Sequence, residues 1–302
     1  ILTALKTRQK ILSSAITELL ESGGKRLRPA LLLLSAKFGD FDKEKLIPLA
    51  ASIEILHMAT LVHDDIIDNS NMRRGKPSVN KIWGTHFAVL CGDYLFAKAF
   101  GILSGKRLIK SMDYMVEAIQ NMCSGEILQA ENRFNHGISL ETYYELISKK
   151  TAIFIKCCCE SGASAGGAEG SQLREIGEYG LNLGLAFQII DDILDFCGNS
   201  EVMGKPRGGD LKQGSITLPL IYLMKDEKCG AKVKKILSER KVTDAFIEEI
   251  TEDFQKKGVI EQCFDIAISH IEKAQRHLEL LPDSPCTGYL YEMAEMLKTR
   301  AN

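Results

Sequence analysis

Residues 54–68, EILHMATLVHDDIID, decide the fold, because an apolar run with helical spacing ends here in three aspartates. Residues four apart share one face of a helix, so Asp64 and Asp68 project together, with Asp65 alongside. The C-terminal end of a helix disfavours anions, and like charges four residues apart repel each other. Hard divalent cations prefer oxygen ligands and would offset both costs. The stretch therefore predicts a buried helix that ends in a metal site.

A second aspartate cluster, FQIIDDILDF at residues 187–196, repeats this pattern. Each cluster follows an apolar run and precedes a polar loop with a Gly-Lys-Pro triplet, at residues 75–77 and 204–206. A solvated acidic face explains one such cluster well but two of them poorly. Because Mg²⁺ shares its coordination among a few carboxylates, water and substrate phosphates, the echo predicts two facing half-sites for a phosphorylated ligand.

Basic residues accompany the acidic clusters. They are Lys25, Arg26 and Arg28 in GGKRLRP (23–29), then Arg73, Arg74 and Lys76, then Lys149 and Lys150, and finally Lys205 and Arg207. His57 lies almost two turns before Asp64 on the same helix face, and in this company we assign it a phosphate contact rather than a place in the core. Cations beside metal-binding carboxylates are typical of diphosphate binding.

Helical periodicity dominates the chain. Apolar residues recur at three- and four-residue steps in the segments near 28–38, 43–68, 86–104, 111–134, 140–164, 171–196 and 215–225. No stretch alternates as a strand does, and residues 231–302 are typical of shorter amphipathic helices. Gly and Pro lie between the helices, and no low-complexity linker divides the chain. We therefore predict an all-α fold in a single domain, residues 1–302.

Composition bears on the class of function. The formal net charge of the 302 residues is −2, so no global basic field points to nucleic acid. The nine cysteines include no CxxC pair and no His/Cys spacing suited to zinc. We see no signal peptide and no apolar run of about 20 residues that could span a bilayer. We expect a cytoplasmic protein with reduced thiols and at most transient membrane contact.

Taken together, these stretches resemble the trans (E)-type polyprenyl diphosphate synthases. The resemblance rests on GGKRLRP (23–29), EILHMATLVHDDIIDNSNMRRGKPSVN (54–80), GDYLFAKAF (92–100), Lys150-Thr151, FQIIDDILDF (187–196) and GKPRGGDLKQGSITLP (204–219). It implies a bundle of long helices around a deep central cavity, paired as a homodimer. It also implies a Mg²⁺-dependent prenyltransferase that joins isopentenyl diphosphate to an allylic prenyl diphosphate by ionisation, condensation and elimination.

Matching positions carry the roles of the family's residues onto this chain. The residues implied to hold Mg²⁺ against the allylic diphosphate are Asp64, Asp68 and Asp191. Those implied to ligate through water or to support the ligands are Asp65, Asp192 and Asp195. The implied contacts of the allylic diphosphate are Arg73, Lys150 and Lys205. Those of isopentenyl diphosphate are Lys25, Arg28, His57 and Arg74 for its diphosphate, and Phe187 for its hydrocarbon. The residues implied to face the developing cation are Thr151 and Gln188.

One position departs from the family pattern, and two bear on product length. Ser215 stands after Gly214 where many relatives carry a Lys, so Lys212 is a candidate substitute. A residue other than Lys at this place resembles the catalytic component of heptaprenyl-type synthases. Ala59 and Thr60 are small where short-chain relatives carry bulky aromatics, which predicts a long-chain product, hexaprenyl to octaprenyl.

Three other interpretations stay open. A catalytic component that needs a small regulatory subunit would keep the same motifs. A terpene cyclase would share the first aspartate motif but normally replaces the second with an Asn/Ser/Glu-type metal motif. A helical scaffold that binds no small molecule would leave the acidic and basic clusters unexplained.

Overall fold

The structure is a computed structural model that describes residues 1–198 and 207–299. The helices of its first half are α1 (Lys10–Glu21), α2 (Leu27–Ser35), α3 (Lys43–Ile67), α4 (Val79–Trp83), α5 (Thr85–Gly105), α6 (Ile109–Glu131), α7 (Leu140–Ile147) and α8 (Ile153–Ala165). Those of its second half are α9 (Gly170–Cys197), α10 (Gly209–Lys212), α11 (Leu218–Leu223), α12 (Glu227–Glu239), α13 (Asp244–Lys256), α14 (Val259–Glu279) and α15 (Pro285–Thr299). The all-α prediction is confirmed.

The chain divides into two compact units. The first unit consists of Ile1–Val116 and Cys158–Arg174, and the second of Glu117–Cys157 and Glu175–Asn302. The first unit contains the aspartates that end α3, and the second contains those that end α9. That both belong to a single domain stays a prediction.

The first unit is built on α3. Asp42 caps the N-terminus of this helix, because its carboxylate accepts a hydrogen bond of 2.9 Å from the backbone N–H of Glu44. The helix packs most extensively against α5. Gly92 permits this close approach, since a Cβ there would lie 2.2 Å from the His63 ring. Side chains such as Leu56 are fully buried, and each contributes roughly 1.5–3 kcal/mol to folding.

The helix α2, which carries Arg28, lies against α8 within the first unit. A Cβ at Gly162 would be 2.0 Å from the carbonyl oxygen of Leu32, and one at Gly166 would be 2.5 Å from that of Ala36. Only glycine fits at such backbone-to-backbone contacts. The two glycines therefore hold α2, and the basic segment before it, against a rigid support.

The second unit is organised by the C-terminal part of α9. The Tyr179 hydroxyl donates to the carbonyl of Leu290 in α15 at 2.8 Å. The rings of Phe196 and Phe254 meet edge to face with centroids 5.0 Å apart. These contacts fix both ends of the helix segment that leads to the second aspartate cluster.

Two expectations about local structure were wrong. Met72–Arg73 and Lys76–Pro77 form a two-residue antiparallel hairpin, although no strand was expected. The segment 140–164 is not one uninterrupted α-helix, because Ser148–Ala152 forms a π-helical turn between α7 and α8. A hairpin of four residues is too short to leave an alternating pattern, and a π turn leaves the apolar periodicity nearly intact.

Two helices have the length and composition of a membrane span, contrary to the expectation from the sequence. They are Lys43–Ile67 and Thr85–Gly105, whose most apolar windows are 61% and 33% buried inside the protein. The first is a core helix of its unit, and such helices meet the same criterion. In the second helix, Thr85–Gly105, most of the apolar window is not buried inside the protein.

Candidate active site

The first aspartate cluster ends α3 and is tied to the hairpin that follows. Asp65 is buried, and both of its carboxylate oxygens accept hydrogen bonds from Nε of Arg73, at 2.9 and 2.8 Å. Asp64 and Asp68 are half-buried and lie one turn apart. Asp65 thus holds the hairpin through Arg73, which is compatible with the predicted supporting role. Asp64 and Asp68 present the partly exposed carboxylates.

The basic segment GGKRLRP is anchored to α3 by its own Arg26 and to the hairpin by Arg74 of that hairpin. Arg26, in the left-handed conformation at φ 49°, forms an ion pair with the buried Glu54 of α3. Arg74 of the hairpin donates from Nη1 to the carbonyl of Gly23. The structure therefore brings the predicted residue Arg74 to this segment, while Lys25 lies exposed on it.

Arg28 and His57, both predicted to hold a diphosphate, lie together in the first unit. Nη1 of Arg28 is 3.1 Å from Nε2 of His57. Since guanidinium nitrogens only donate, Nε2 accepts and His57 is neutral in this arrangement. Burial and the neighbouring charges of Arg28, Arg74 and Arg73 hold the pKa of His57 well below its usual value. This crowding of cations favours an anionic ligand.

Lys150 and Thr151 lie on the π turn of the second unit. Gly125 of α6 faces this turn closely, since a Cβ there would lie 2.9 Å from Cγ of Lys150. Gly184 of α9 does the same from another side, with a hypothetical Cβ 2.5 Å from Cα of Ala152. π turns occur frequently at functional sites. Here the turn places two predicted site residues next to each other, with glycines against it from two helices.

The Lys150 ammonium is held by side chains of α6. Its Nζ lies 2.6 Å from Oε1 of Glu126 and 2.5 Å from Oε1 of Gln129. Nε2 of Gln129 in turn donates to Oγ of Ser215 at 3.0 Å. The departure from the family pattern at Ser215 is therefore connected to Lys150 through one amide.

Thr151 begins a second chain of hydrogen bonds, which runs into α9. Its hydroxyl donates to Oε1 of Gln188 at 2.7 Å, and Nε2 of Gln188 donates to Oδ1 of Asp192 at 2.9 Å. The hydroxyl of the buried Tyr143 donates to Oδ2 of Asp192 at 2.7 Å. Thr151, Gln188 and Asp192, each predicted separately, thus form one network.

The Asp192 carboxyl is an unusual acid. Burial raises the pKa of Asp192 to about 8, and the charges of Asp210 and Asp191 act in the same direction. The hydrogen bonds from Gln188 and Tyr143 act the other way. Like Asp65 in the first cluster, Asp192 is committed to protein partners, which agrees with a supporting role.

Two further aspartates, Asp191 and Asp195, lie near the end of α9. Asp191 and Asp195 are both half-buried. Asp195 accepts hydrogen bonds from the backbone N–H groups of Gly209 and Asp210, at 3.2 and 3.3 Å. It therefore organises the start of α10. Phe187, predicted to pack against a hydrocarbon, is half-buried on the same helix.

Lys205 lies outside the described residues, so its predicted contact stays a prediction. Lys212, the candidate substitute for the missing Lys at position 215, lies 2.5 Å from Oδ1 of the exposed Asp244 of α13. In this conformation Lys212 serves a surface ion pair. That pairing does not support its role as a substitute.

The two residues predicted to control product length face different ways. Ala59 is fully buried and lies about 140° around α3 from Asp64. Thr60 is half-buried, bonded through its hydroxyl to the carbonyl of His57 at 2.8 Å, and lies about 40° from Asp64. Thr60 therefore shares the partly exposed face of α3 with His57 and Asp64, whereas Ala59 belongs to the packed face.

The donor set fits a magnesium ion that is shared with a substrate. Among residues 1–198 and 207–299, no three His, Cys, Asp or Glu side chains are already gathered around a common metal position. Mg²⁺ needs only one or two carboxylates from the protein, because water and phosphate oxygens fill its other positions. In the first unit the half-buried Asp64 and Asp68, one turn apart, supply such a pair. In the second unit Asp191 is also half-buried, and its sharing of a metal ion with the first pair stays a prediction.

Four residues whose side chains hold the predicted site or its basic segment escaped the sequence analysis: Glu54, Glu126, Gln129 and Tyr143. Glu54 carried a usable signal, because it is a lone acid inside an apolar run, where burial requires a cationic partner. Glu126 and Gln129 resemble the ordinary polar face of an amphipathic helix, and Tyr143 resembles an ordinary core aromatic. Their partners lie 21 to 86 residues away along the chain, and no local pattern encodes that distance.

Comparison with known proteins agrees with this geometry. The sequence model of the polyprenyl synthetase family matches residues 9–254. The heptaprenyl diphosphate synthase component 2 of Bacillus subtilis (strain 168) is 38% identical over 290 residues, which cover 96% of this chain and 83% of that protein. A heptaprenyl diphosphate synthase structure from Staphylococcus aureus is 33% identical with a TM-score of 0.92, covering 100% of this chain and 95% of that one.

A polyprenyl synthase structure from Caulobacter crescentus CB15, complexed with calcium and isoprenyl diphosphate, is 32% identical with a TM-score of 0.94. The match covers 100% of this chain and 92% of that one. Similarity of this extent in sequence and fold leaves one assignment: the chain belongs to the polyprenyl synthetase family.

Proposed function

We propose that this enzyme condenses isopentenyl diphosphate with an allylic prenyl diphosphate, uses Mg²⁺, and releases a long-chain all-trans polyprenyl diphosphate. The observation that carries the proposal is the π turn Ser148–Ala152. It places the Lys150 ammonium beside the hydrogen-bonded pair of Thr151 and Gln188. Ionisation of an allylic diphosphate separates an anion from a cation by a few ångströms, and this arrangement offers a partner to each.

The residues of the chain divide the work of that reaction. Lys150 binds the departing diphosphate and stabilises its negative charge. The Thr151 hydroxyl donates a hydrogen bond to Gln188, so the lone pairs of its oxygen point away from Gln188 and can stabilise a positive carbon. Mg²⁺ held by Asp64, Asp68 and Asp191 would supply further stabilisation of the diphosphate charge. Arg28, together with the neutral His57, binds the diphosphate of isopentenyl diphosphate and so orients its double bond.

The proposal is tested by incubating the purified protein with labelled isopentenyl diphosphate, farnesyl diphosphate and Mg²⁺, with and without a chelator. Elongation in five-carbon steps that the chelator abolishes supports it. Cyclic hydrocarbons would show a cyclase instead, and no turnover even after a regulatory subunit is added would leave a non-enzymatic scaffold.

A heteromeric synthase is the second candidate. It is favoured by relatives that are named component 2, a name that describes one part of a larger enzyme. In this version the chain contributes the catalytic machinery and a small subunit completes the enzyme. Activity that appears only after such a subunit is added would establish it, and full activity of the chain alone would exclude it.

We also propose a homodimer formed through α5. Its outer face carries Val89 and Leu90, which are 41% and 55% exposed, and continues through the exposed Ala97 and Gly101, with the exposed His86 and Asp93 on the same face. Exposed large apolar side chains on one helix face are typical of an interface between subunits. Leu90→Lys should shift the protein from dimer to monomer in light scattering. An unchanged mass would contradict this interface.

The predicted product is hexaprenyl to octaprenyl diphosphate, made in the cytoplasm. The small side chain of Thr60, on the same helix face as Asp64, supports a tunnel that stays open beyond the first isoprene units. Contact with a membrane would be transient, when the apolar product leaves. Product length is read by reversed-phase chromatography after the diphosphate has been removed.

A further inference from the structure

We propose that Gln129 and Ser215 are positioning residues for the Lys150 ammonium. In this chain Ser215 serves the diphosphate site through Gln129, although many relatives have a Lys at its position. The inference rests on the proposed function, in which Lys150 binds the allylic diphosphate. It adds two residues that act through Lys150 rather than on the substrate.

The three side chains form an ordered chain of hydrogen bonds. Lys150 donates to Oε1 of Gln129 at 2.5 Å, and Nε2 of Gln129 donates to Oγ of Ser215 at 3.0 Å. All three are half-buried, so the contacts are partly protected from water. Each donor meets an acceptor, and the chain therefore has one direction only.

The backbone around Ser215 is fixed on both sides. The N–H of Ser215 donates to the carbonyl of Asp210 at 2.9 Å, and the carbonyl of Gly214 accepts from the N–H of Phe134 at 2.8 Å. The Phe134 ring covers Gly214 so closely that a Cβ there would lie 2.5 Å from it. The Ser215 hydroxyl is therefore presented to α6 by a rigid loop and not by a flexible one.

Ser215 anchors the far end of the Gln129 amide. The Lys150 ammonium can only donate, so it is the amide oxygen that faces it, and Nε2 points the other way. The Ser215 hydroxyl accepts from this Nε2 and holds the amide in place. Without that acceptor the amide has only one partner and is free to move away from the ammonium.

The neutral amide of Gln129 and the carboxylate of Glu126 act on Lys150 in different ways. Glu126 neutralises Lys150 at 2.6 Å and competes with an incoming diphosphate. Gln129 orients the same ammonium without a formal charge, so it holds Lys150 in place when the diphosphate displaces the carboxylate. A Lys at position 215 has only donors and would draw the amide oxygen away from Lys150. The Ser215 hydroxyl and this role of Gln129 therefore belong together.

The test compares Ser215→Ala, Ser215→Thr and Gln129→Met with the wild-type enzyme. The measured quantities are kcat, KM for farnesyl diphosphate and inhibition by inorganic pyrophosphate with Mg²⁺. We expect Ser215→Ala to raise KM and the inhibition constant about 3- to 10-fold, the effect of one misplaced hydrogen bond, and to lower kcat as well, because Lys150 also stabilises the charge of the departing diphosphate. Ser215→Thr keeps a hydroxyl and should stay within about twofold of wild type. Ser238→Ala, which removes an exposed hydroxyl bonded within α12 at 2.8 Å, is the matched control.

A double variant separates positioning from general damage. In the Gln129→Met background, Ser215→Ala should have no further effect, because the amide that it orients is gone. Unchanged KM and inhibition in Ser215→Ala, or effects that multiply in the double variant, would overturn the inference. Circular dichroism shows whether each variant still has a cooperative melting transition. If Ser215→Ala does not fold, Ser215→Thr is compared with the wild-type enzyme instead. If the wild-type enzyme elongates no substrate, with or without an added regulatory subunit, the proposed function itself fails, which this design distinguishes from failure of the Ser215 inference alone.

Discussion

Tyr143→Phe removes one hydroxyl whose partner is the buried carboxyl of Asp192. The two side chains are 2% and 3% exposed, so water replaces the lost hydrogen bond poorly. Leaving a buried acceptor without such a partner costs about 1–3 kcal/mol. In a chain of this size, that corresponds to a fall in Tm of roughly 2–5 °C. Because Asp192 also accepts from Gln188 at 2.9 Å, we expect kcat to fall together with the stability.

The assay is thermal and urea denaturation followed by far-ultraviolet circular dichroism, with kcat measured on the same preparations. Tyr144→Phe is the matched control on the same helix. Tyr144 is only half-buried, and among the described residues its hydroxyl has no hydrogen-bond partner, so its removal should change the free energy of unfolding by less than about 0.5 kcal/mol. Equal stability of the two variants would refute the reasoning, since burial of the Tyr143–Asp192 bond is its only source.

Three further predictions concern packing, product length and pH. Gly184→Ala places a Cβ 2.5 Å from the backbone of the π turn. This clash should destabilise the protein by about 1–3 kcal/mol, which differential scanning calorimetry measures, and lower kcat, which a rate assay measures. Thr60→Phe should shorten the product at little cost in stability, and Ala59→Phe should shorten it only with a clear loss of stability, because Ala59 is fully buried; product chromatography beside melting curves decides between them. Burial lowers the pKa of His270, which contacts Asn182 at 3.0 Å, to about 4. Below pH 6.5 the imidazole of His270 binds a proton in the unfolded chain but not in the folded protein. The free energy of unfolding should therefore fall as the pH drops from 6.5 towards 4. Urea titrations at several pH values should show that this free energy depends less on pH in His270→Gln than in the wild-type protein.

The long helices were predictable because their apolar periodicity is local. The segment predicted near 43–68 is Lys43–Ile67 in the structure, and that near 171–196 is Gly170–Cys197. Both aspartate clusters lie at the helix ends where the sequence places them. Such agreement is expected when one continuous stretch of sequence contains both the apolar face of a helix and its polar end.

The interior of the site was less predictable, because its geometry depends on distant residues. The π turn depends on Gly125 and Gly184, which allow α6 and α9 to approach it. No local sequence pattern distinguishes these two glycines from the others in the chain. The partner of Lys150 on the far side of Gln129 is Ser215, 86 residues from that amide. Motif matching identified Lys150 and Thr151, whereas the networks that orient them required three dimensions.

We infer that the aspartates of both clusters act in metal-dependent prenyl transfer. The decisive experiment follows the rate at which labelled isopentenyl diphosphate is added to farnesyl diphosphate, measured against Mg²⁺ concentration in Asp64→Asn and in Asp191→Asn. Asp113→Asn, which alters an exposed carboxylate of α6, is the control. Each of the two variants should lose activity by about 10²-fold or more at every Mg²⁺ concentration, while the control keeps the wild-type rate. Wild-type rates in either Asp64→Asn or Asp191→Asn would contradict it.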